Sequence, residues 1–482
     1  MLSSFEDLLL RWLQPTAALR ADMLAAVGTA LAVAVTLHAL LRKRRVSVAV
    51  AWVGLAWLSP IFGSVLYLMF GINRVTRRAR RLRTKPSEAL EAPSLEDATV
   101  PHTLWPLDRA VRRITGLPAL VGNRVALFRN GDEAYPAMLA AIAEARTSLV
   151  LTSYIFRDDP TGRLFGAALG EARARGVAVR VIIDGIGGGY FRAKAYRRLS
   201  AAGVPAGLFM HSALPWRMPF LNLRNHKKLL IADGRVAFTG GVNISQPNRL
   251  ATRPDHPIRD THFRVEGPVV EQLMAAFASD WAFVDGEILD GPDWFPDLAP
   301  VGPTVARAVT SGPDADIMKI ESVILHALNG ARERVAIVTP YFLPDEVVMA
   351  ALALAAERGV TVDVVIPRRS DHVFVDWATR AHVMPLLRSG VRIWLDEPPF
   401  DHSKALAIDG VWCFVGSANW DMRSFRLNFE LNVELYDARM AEEIERFIRA
   451  KMETRLTEDD LRARHLPVRL RDAAVRLLLP YL

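Results

Sequence analysis

The chain is poor in cysteine: among 482 residues there is only Cys413. A disulfide framework within the chain is therefore excluded, and so is a zinc site built on several cysteines. It also lacks H-E-x-x-H and G-x-x-x-x-G-K-[ST], which removes the zincin and P-loop nucleotidase readings. The run from Gly185 to Gly189 has no G-x-G-x-x-G spacing and reads as a loop after a strand. What is present is ordinary for a folded chain: hydrophobic residues are 51% and charged residues 23%, so disordered, collagen-like and coiled-coil chains are excluded. The net charge of +8 predicts an anionic partner, either nucleic acid or acidic lipid.

Two long apolar runs stand near the start, and the mean hydropathy is slightly positive at +0.15. Residues 23–41 carry no Asp, Glu, Lys or Arg, and as a helix would span about 28 Å, close to a hydrocarbon core. Residues 46–70 are equally uncharged, with Pro60 set to kink them and Trp52, Trp57 and Tyr67 available as interfacial anchors. Only Arg42, Lys43, Arg44 and Arg45 separate the runs, so the pair reads as a transmembrane helical hairpin over residues 23–71 after an N-terminal segment, 1–22, rather than as a cleaved leader. Seven basic residues between Arg74 and Lys85, with Arg11 and Arg20, place both flanks and the rest of the chain in the cytoplasm; the four loop charges oppose that orientation. The basic stretch also suits anionic head groups. Residues 72–120 are taken as this juxtamembrane segment followed by a linker.

From about residue 120 the same order of elements occurs twice, in domains expected at 121–300 and 301–482. A helix at 134–146, a strand at 148–154, a helix at 165–176 and a strand at 177–183 match a helix at 320–334, strands at 335–338 and 360–366, and a helix at 347–359. This predicts an α/β fold, duplicated, with a central parallel or mixed sheet flanked by helices. Each half carries H-x-K-x4-D-G followed by G-[GS]-x-N: His226, Lys228, Asp233 and Asn243, then His402, Lys404, Asp409 and Asn419. The alternating stretch ending in Asp-Gly predicts a hairpin, with His and Lys on one strand face. Asp233 and Asp409 complete the candidate catalytic set, although their place at the turn favours a structural role. Pseudo-twofold packing brings two imidazoles, two ammonium groups and two carboxamides together. Lysines and asparagines suit phosphate oxygens, one histidine suits nucleophilic attack on phosphorus, and the other suits protonation of the leaving oxygen; no metal or cofactor is required. Asp260 and Glu430 follow the two motifs at similar distances and are candidates for orienting the imidazoles.

The duplicated motif resembles that of the phospholipase D superfamily. With the N-terminal hairpin, TPYFLPDE at 339–346, GSANWDMRSFRLNFE at 416–430, RDTHFRVEGP at 259–268 and the tail after Leu466, the chain is similar to bacterial cardiolipin synthases. That resemblance implies a two-step transfer. Histidine attacks the phosphodiester of one phosphatidylglycerol, glycerol leaves, and the phosphatidyl group passes from histidine to the terminal hydroxyl of a second phosphatidylglycerol. It implies His226 and His402 as nucleophile and general acid/base, with His226 the nucleophile. Lys228, Lys404, Asn243 and Asn419 would hold phosphate, and Asp260 and Glu430 would orient the rings. The expected partners are phosphatidylglycerol and anionic membrane lipid, with no nucleic acid. One departure is Pro398-Pro399-Phe400-Asp401 before the second motif, where Asp401 is placed to alter His402. Alternatives remain: a hydrolytic or head-group-exchanging phospholipase D, a nucleic-acid phosphodiesterase, and a lipid-binding scaffold. Arg368, Arg369, Asp371, His372 and Arg380 read equally as head-group lining or as a solvated surface. The arginine- and leucine-rich tail reads equally as a membrane-surface segment or a packed last helix. The oligomeric state and the acceptor lipid stay open.

Overall fold

The structure, a computed structural model, describes residues 17–42, 46–71, 100–189, 193–211, 223–313, 316–477 and 479. The loop basics Lys43 to Arg45, the basic segment at 74–85 and the last residues of the tail lie outside the described residues. The chain divides into two compact units, Met1–Val75 and Thr76–Leu482.

In the first unit a single helix runs over Ala17–Arg42, and its part Ala21–Arg42 is long and apolar enough, by length and composition, to cross a membrane. The second apolar run does not form one continuous span. It breaks at Ser59 into helices Val46–Leu58 and Pro60–Leu66, followed by a π-helical turn at Tyr67–Gly71. Pro60 has no N–H to donate and its ring clashes with the preceding turn, so it starts a new helix instead of continuing the old one. The two pieces pack on the first helix through Ala32, Val35, Ala39, Ala56 and Tyr67. His38 Nδ1 lies 2.6 Å from the Tyr67 hydroxyl, and Trp57 Nε1 donates to Thr36 Oγ1 at 3.1 Å. Tyr67 is thus an interior residue, 1% exposed, and not an interfacial anchor.

The second unit is built on one 16-stranded sheet. Its first repeat contributes β1 (Leu120–Arg129), β2 (Ser148–Ser153), β3 (Ala178–Asp184), β4 (Ala206–Phe209), β5 (Leu229–Ala232), β6 (Val236–Gly240) and β7 (Thr261–Glu266). The second contributes β8 (Thr304–Ser311), β9 (Arg334–Val338), β10 (Thr361–Pro367), β11 (Arg392–Asp396), β12 (Ala405–Ile408), β13 (Trp412–Gly416), β14 (Asn428–Tyr436) and β15 (Thr454–Leu456). The order is β15-β11-β10-β9-β12-β13-β14-β8-β1-β7-β6-β5-β2-β3-β4, with Arg224–Asn225 pairing beside β14. The order of the first repeat, read outward from β1, matches that of the second, read outward from β8. The antiparallel β1–β8 pair, with Leu120 opposite Ala306, is the seam between them. Strands β2, β3 and β4 and strands β9, β10 and β11 are parallel and separated by helices such as Pro160–Ala174 and Glu346–Glu357; the second repeat adds β15, antiparallel to β11, at its edge. These strands are covered on both faces, which is why they read as continuous apolar runs.

Helix Trp105–Thr115 lies in the stretch expected to be linker, yet its Leu107 and Val111 belong to the core of the second repeat. Its Asp108 pairs with Arg307, a fully buried side chain of β8 that also meets Glu434 at 2.5 Å.

The two Asp-Gly turns have positive φ at both central residues, 51° and 61° at Asp233-Gly234 and 54° and 66° at Asp409-Gly410. This is the turn geometry whose twist matches antiparallel strands. The Asp233 carboxylate accepts from the backbone N–H groups of Arg146, Thr147 and Ser148, and Asp409 from those of Arg332, Glu333 and Arg334. Each thereby satisfies the amides that lead into β2 or β9. Asp233→Ala and Asp409→Ala leave these donors without their partner and should each lose about 1–3 kcal/mol of stability. Chemical denaturation of the purified variants measures this; unchanged midpoints would remove the anchoring role.

Candidate active site

The site forms because each repeat holds the other's motif. His226 follows the short strand Arg224–Asn225, which pairs in parallel with Asn428–Phe429 at the start of β14. The His226 N–H donates to Phe429 O at 2.9 Å. In the same way Phe400–Asp401 pairs with Ile258–Arg259, and the His402 N–H donates to Arg259 O at 2.7 Å. Both His–Lys segments are therefore extended connections just ahead of β5 and β12, not part of those strands as the alternation suggested. The residue after each clamp carries the carboxylate, so the pairing is crosswise. His226 Nδ1 lies 3.0 Å from Glu430 Oε2 and 3.1 Å from Ser417 O, and His402 Nδ1 lies 2.8 Å from Asp260 Oδ2. The two rings stand 6.2 Å apart, centre to centre, at 79°.

Both carboxylates are fixed in turn. Glu430 accepts from Ser417 Oγ at 2.5 Å and from Asn428 Nδ2 at 3.0 Å; Asp260 Oδ1 accepts from the Thr261 N–H at 2.8 Å. This explains the G-[GS] positions. A Cβ on Gly241 would lie 2.0 Å from Asp260 Oδ1, so the first repeat has room only for glycine, whereas Ser417 at the matching place donates to its carboxylate. Lys228 Nζ donates to His226 O at 2.7 Å, and Lys404 Nζ to His402 O. Lys227, between His226 and Lys228 in sequence, is used elsewhere in a buried pair with Asp280 at 2.8 Å.

Burial dominates the electrostatics. It holds both imidazoles well below their ordinary pKa, and the charges of Lys228 and Lys404 push the same way. Burial also brings Lys228 down to about 7 and Lys404 to about 8, against the pull of Asp260 and Glu430, and raises those two carboxyls to about 7. A neutral imidazole whose Nδ1–H faces a carboxylate presents its Nε2 lone pair for attack. An anion brought between the lysines favours both ammonium forms and a protonated ring.

The remaining candidates fall differently. Asp233 and Asp409 are occupied at the hairpin turns. Asn243 Oδ1 accepts from the Ile155 N–H at 3.1 Å. Asn419 hydrogen-bonds Asp421, and among the described residues its buried Oδ1 meets no donor. Asp401 makes no hydrogen bond to the His402 ring; it pairs with Lys451 and accepts from the Ser403 N–H at 2.8 Å, and its charge acts on Asp260 and Lys404. Asp184, ahead of the glycine run, accepts from Ile186 and Gly187 and, through its other oxygen, from Asn225 at 2.7 Å, bracing the strand before His226. Sequence reasoning missed two tyrosines. The Tyr154 ring is 4.9 Å from His226 and 5.3 Å from Lys228 Nζ, and the Tyr341 ring is 6.2 Å from His402. Their one shared local trace is a T-x-Y at the end of β2 and just past β9, Thr152-Ser153-Tyr154 and Thr339-Pro340-Tyr341, which does not by itself mark a site.

Paired imidazoles, each backed by a carboxylate and flanked by a lysine, on a duplicated mixed sheet define a phospholipase D-type phosphotransfer centre. The family described as "Cardiolipin synthase, PLD-like domain" matches residues 138–281 and 324–452, and "Phospholipase_D-nuclease N-terminal" matches 30–71. Cardiolipin synthase A of Pseudomonas syringae pv. syringae is 35% identical over 427 residues, covering 86% of this chain and 88% of that protein. The major cardiolipin synthase ClsA of Bacillus subtilis is 31% identical over 457 residues, covering 91% and 95%. In fold, the chain is similar to the crystal structure of phosphatidylserine synthase from Haemophilus influenzae, with a TM-score of 0.61 at 14% identity over 78% of this chain and 100% of that one. The chain belongs to the cardiolipin synthase family of phospholipase D-like proteins.

The crosswise pairing has a direct spectroscopic test. In histidine-selective 15N spectra, Glu430→Gln should perturb the His226 tautomer signal and leave His402 in place, and Asp260→Asn should do the converse. Gly241→Ala, by displacing Asp260, should reproduce the Asp260→Asn pattern. Perturbation of the histidine in the same repeat as the altered carboxylate would contradict the geometry.

Proposed function

We propose that the protein is a membrane-bound cardiolipin synthase that transfers a phosphatidyl group between two phosphatidylglycerol molecules, releasing glycerol. The observation that carries this reading is the pair of carboxylate-backed imidazoles 6.2 Å apart within a chain of this family. His226 Nε2 attacks the phosphorus of the first lipid, as the first-motif analogy implies, and the P–O bond to the glycerol head group breaks. His402 gives its proton to that oxygen, and glycerol leaves. The phosphatidyl group is now held through a P–N bond to His226. The terminal hydroxyl of the second phosphatidylglycerol loses its proton to His402 and attacks phosphorus; the P–N bond breaks and cardiolipin leaves. Lys228 and Lys404 offset charge on the phosphoryl oxygens. Glu430 and Asp260 hold the tautomers and stabilise each imidazolium. Asn243 and Asn419, which follow the two hairpins, are assigned to the phosphate oxygens by the same family analogy. The N-terminal apolar segments form a helical hairpin held in the bacterial inner membrane, and the basic residues at 74–85 support cytoplasmic flanks.

Lipid mass spectrometry of the full chain in mixed micelles with phosphatidylglycerol alone should yield cardiolipin and glycerol. His226→Ala and His402→Ala should each lower turnover by at least about a thousandfold. Acid quench with phosphorus-labelled lipid should leave label on the peptide holding His226. Phosphatidic acid without cardiolipin would identify a hydrolase instead.

The lysines act in their protonated form. Because their pKa values are lowered to about 7 and about 8, kcat/KM should fall as pH rises through that window and not near pH 10. Lys228→Arg keeps a cation at that position and should move the alkaline limb up to about 8, where Lys404 still titrates, and the Lys228→Arg/Lys404→Arg double variant should move it further, whatever the loss in absolute rate. An alkaline limb unmoved in both variants would assign it to another group.

A further inference from the structure

The last helix, Leu466–Arg476, turns its apolar side outward. Leu466, Leu470, Ala473, Ala474 and Leu477 recur at i, i+4, i+7, i+8 and i+11, one face of a helix, and all are exposed. The three leucines are 64%, 61% and 77% exposed. The inward face is the polar one in part: Asp472 is 1% exposed and pairs with Arg464 at 2.6 Å, while Val475 packs on Leu343, Val375 and Ala378. The Arg471 guanidinium lies 3.8 Å from the Trp377 ring centre, which ties the helix to its neighbour Val373–His382. A water-facing helix normally has the opposite arrangement.

The neighbouring helix extends the apolar surface. Val373 and Phe374, in its first turn, are 49% and 53% exposed. They follow His372, whose ring is 5.6 Å from Tyr341, and Tyr341 in turn is 6.2 Å from His402. The Tyr341 hydroxyl donates to Asp371 at 2.5 Å, which fixes the start of this helix beside the site. Val373 and Phe374 therefore follow directly on the His402 side of the centre, and the last helix packs on the helix they begin. Arg469 and Arg476 are exposed along one edge of the leucine stripe.

We propose that helices Val373–His382 and Leu466–Arg476 form a membrane-docking face, which seats Val373, Phe374, Leu466, Leu470 and Leu477 in the interfacial layer of a bilayer, with Arg469 and Arg476 against anionic phosphates. Three observations choose a bilayer over another protein. The stripe is shallow and is bordered by guanidinium groups, the pattern of an interfacial helix. The same chain carries a helix able to cross a membrane. The face adjoins a centre of the phosphatidyl-transfer family, whose substrates lie in that layer. Docking there brings the His402 side of the centre towards the lipid head groups without drawing the lipid fully out of the bilayer.

Cys413 is fully buried, so single surface cysteines can be spin-labelled in the full chain. Leu470→Cys, Leu477→Cys and Phe374→Cys, with Ile288→Cys (63% exposed at native Ile288) as an aqueous control, are reconstituted in phosphatidylglycerol–phosphatidylethanolamine vesicles. Labels at 374, 470 and 477 should be accessible to oxygen and shielded from a water-soluble nickel relaxant, and label 288 the reverse. Aqueous accessibility at all three overturns the proposal, as does dipolar broadening between copies, which would mark a protein–protein contact. This readout needs no turnover, so it stands or falls separately from the identity of the acceptor lipid. In activity, Leu470→Ser/Leu477→Ser should raise KM for vesicle-borne phosphatidylglycerol about tenfold. Its kcat on a monomeric short-chain analogue should stay unchanged; equal loss on both substrates would assign the leucines to the fold instead.

Discussion

The catalytic unit depends on an exchange: each repeat supplies the carboxylate that holds the other repeat's histidine. His226 rests on Glu430 and His402 on Asp260, and each histidine's own backbone N–H is bonded by the opposite repeat. Neither half contains a complete centre. The duplication is thus more than two domains placed side by side; the β1–β8 seam and the two short clamps, Arg224–Asn225 and Ile258–Arg259, are what assemble the chemistry. A single repeat can reach the same arrangement only by pairing with another copy.

That exchange also explains how so many ionisable groups survive burial. An isolated buried charge carries a large desolvation penalty, which a set of opposite charges with satisfied hydrogen bonds offsets in part. Lys228 and Lys404 face Glu430 and Asp260, and Ser417, Asn428 and the Thr261 amide occupy the remaining carboxylate lone pairs. The residual strain falls on the protonation states: imidazoles are held neutral and lysines are softened towards neutrality. A phosphodiester relieves this, because its negative charge is what the two ammonium groups lack. The site is in this sense organised for an anion rather than for its own lowest energy.

Much of this was legible in the residues. The H-x-K-x4-D-G repeat exposed the duplication, the Asp-Gly dipeptides marked turns whose φ values are positive at both positions, and the apolar runs gave strands within one or two residues of β2, β3, β9 and β10. The distances of Asp260 and Glu430 after the motifs singled out both as ring partners. Other features were hidden for physical reasons. Which carboxylate serves which ring is a long-range pairing with no local signature. Tyr154 and Tyr341 look like any aromatic at a strand end until the fold brings them against the imidazoles. Helix Trp105–Thr115 follows a Pro- and acid-rich stretch, and only its contacts reveal a core element. Asp401, adjacent to His402 in sequence, points its charge to Lys451 instead.

The sequence by itself determined the composition of the centre, the twofold repetition of the fold and the apolar character of the N-terminus, because residue chemistry and periodicity are local properties. It also determined that the second apolar run would not be straight, since Pro60 cannot donate an amide hydrogen. Tertiary structure alone decided that the second run is two short helices folded on the first, that the repeats trade carboxylates, and that the last helix shows leucine to the outside. Each of these is settled by which surfaces meet, across 21 residues between Thr36 and Trp57 and 204 between His226 and Glu430, or by what is left uncovered when they have met, and none is written in any one segment.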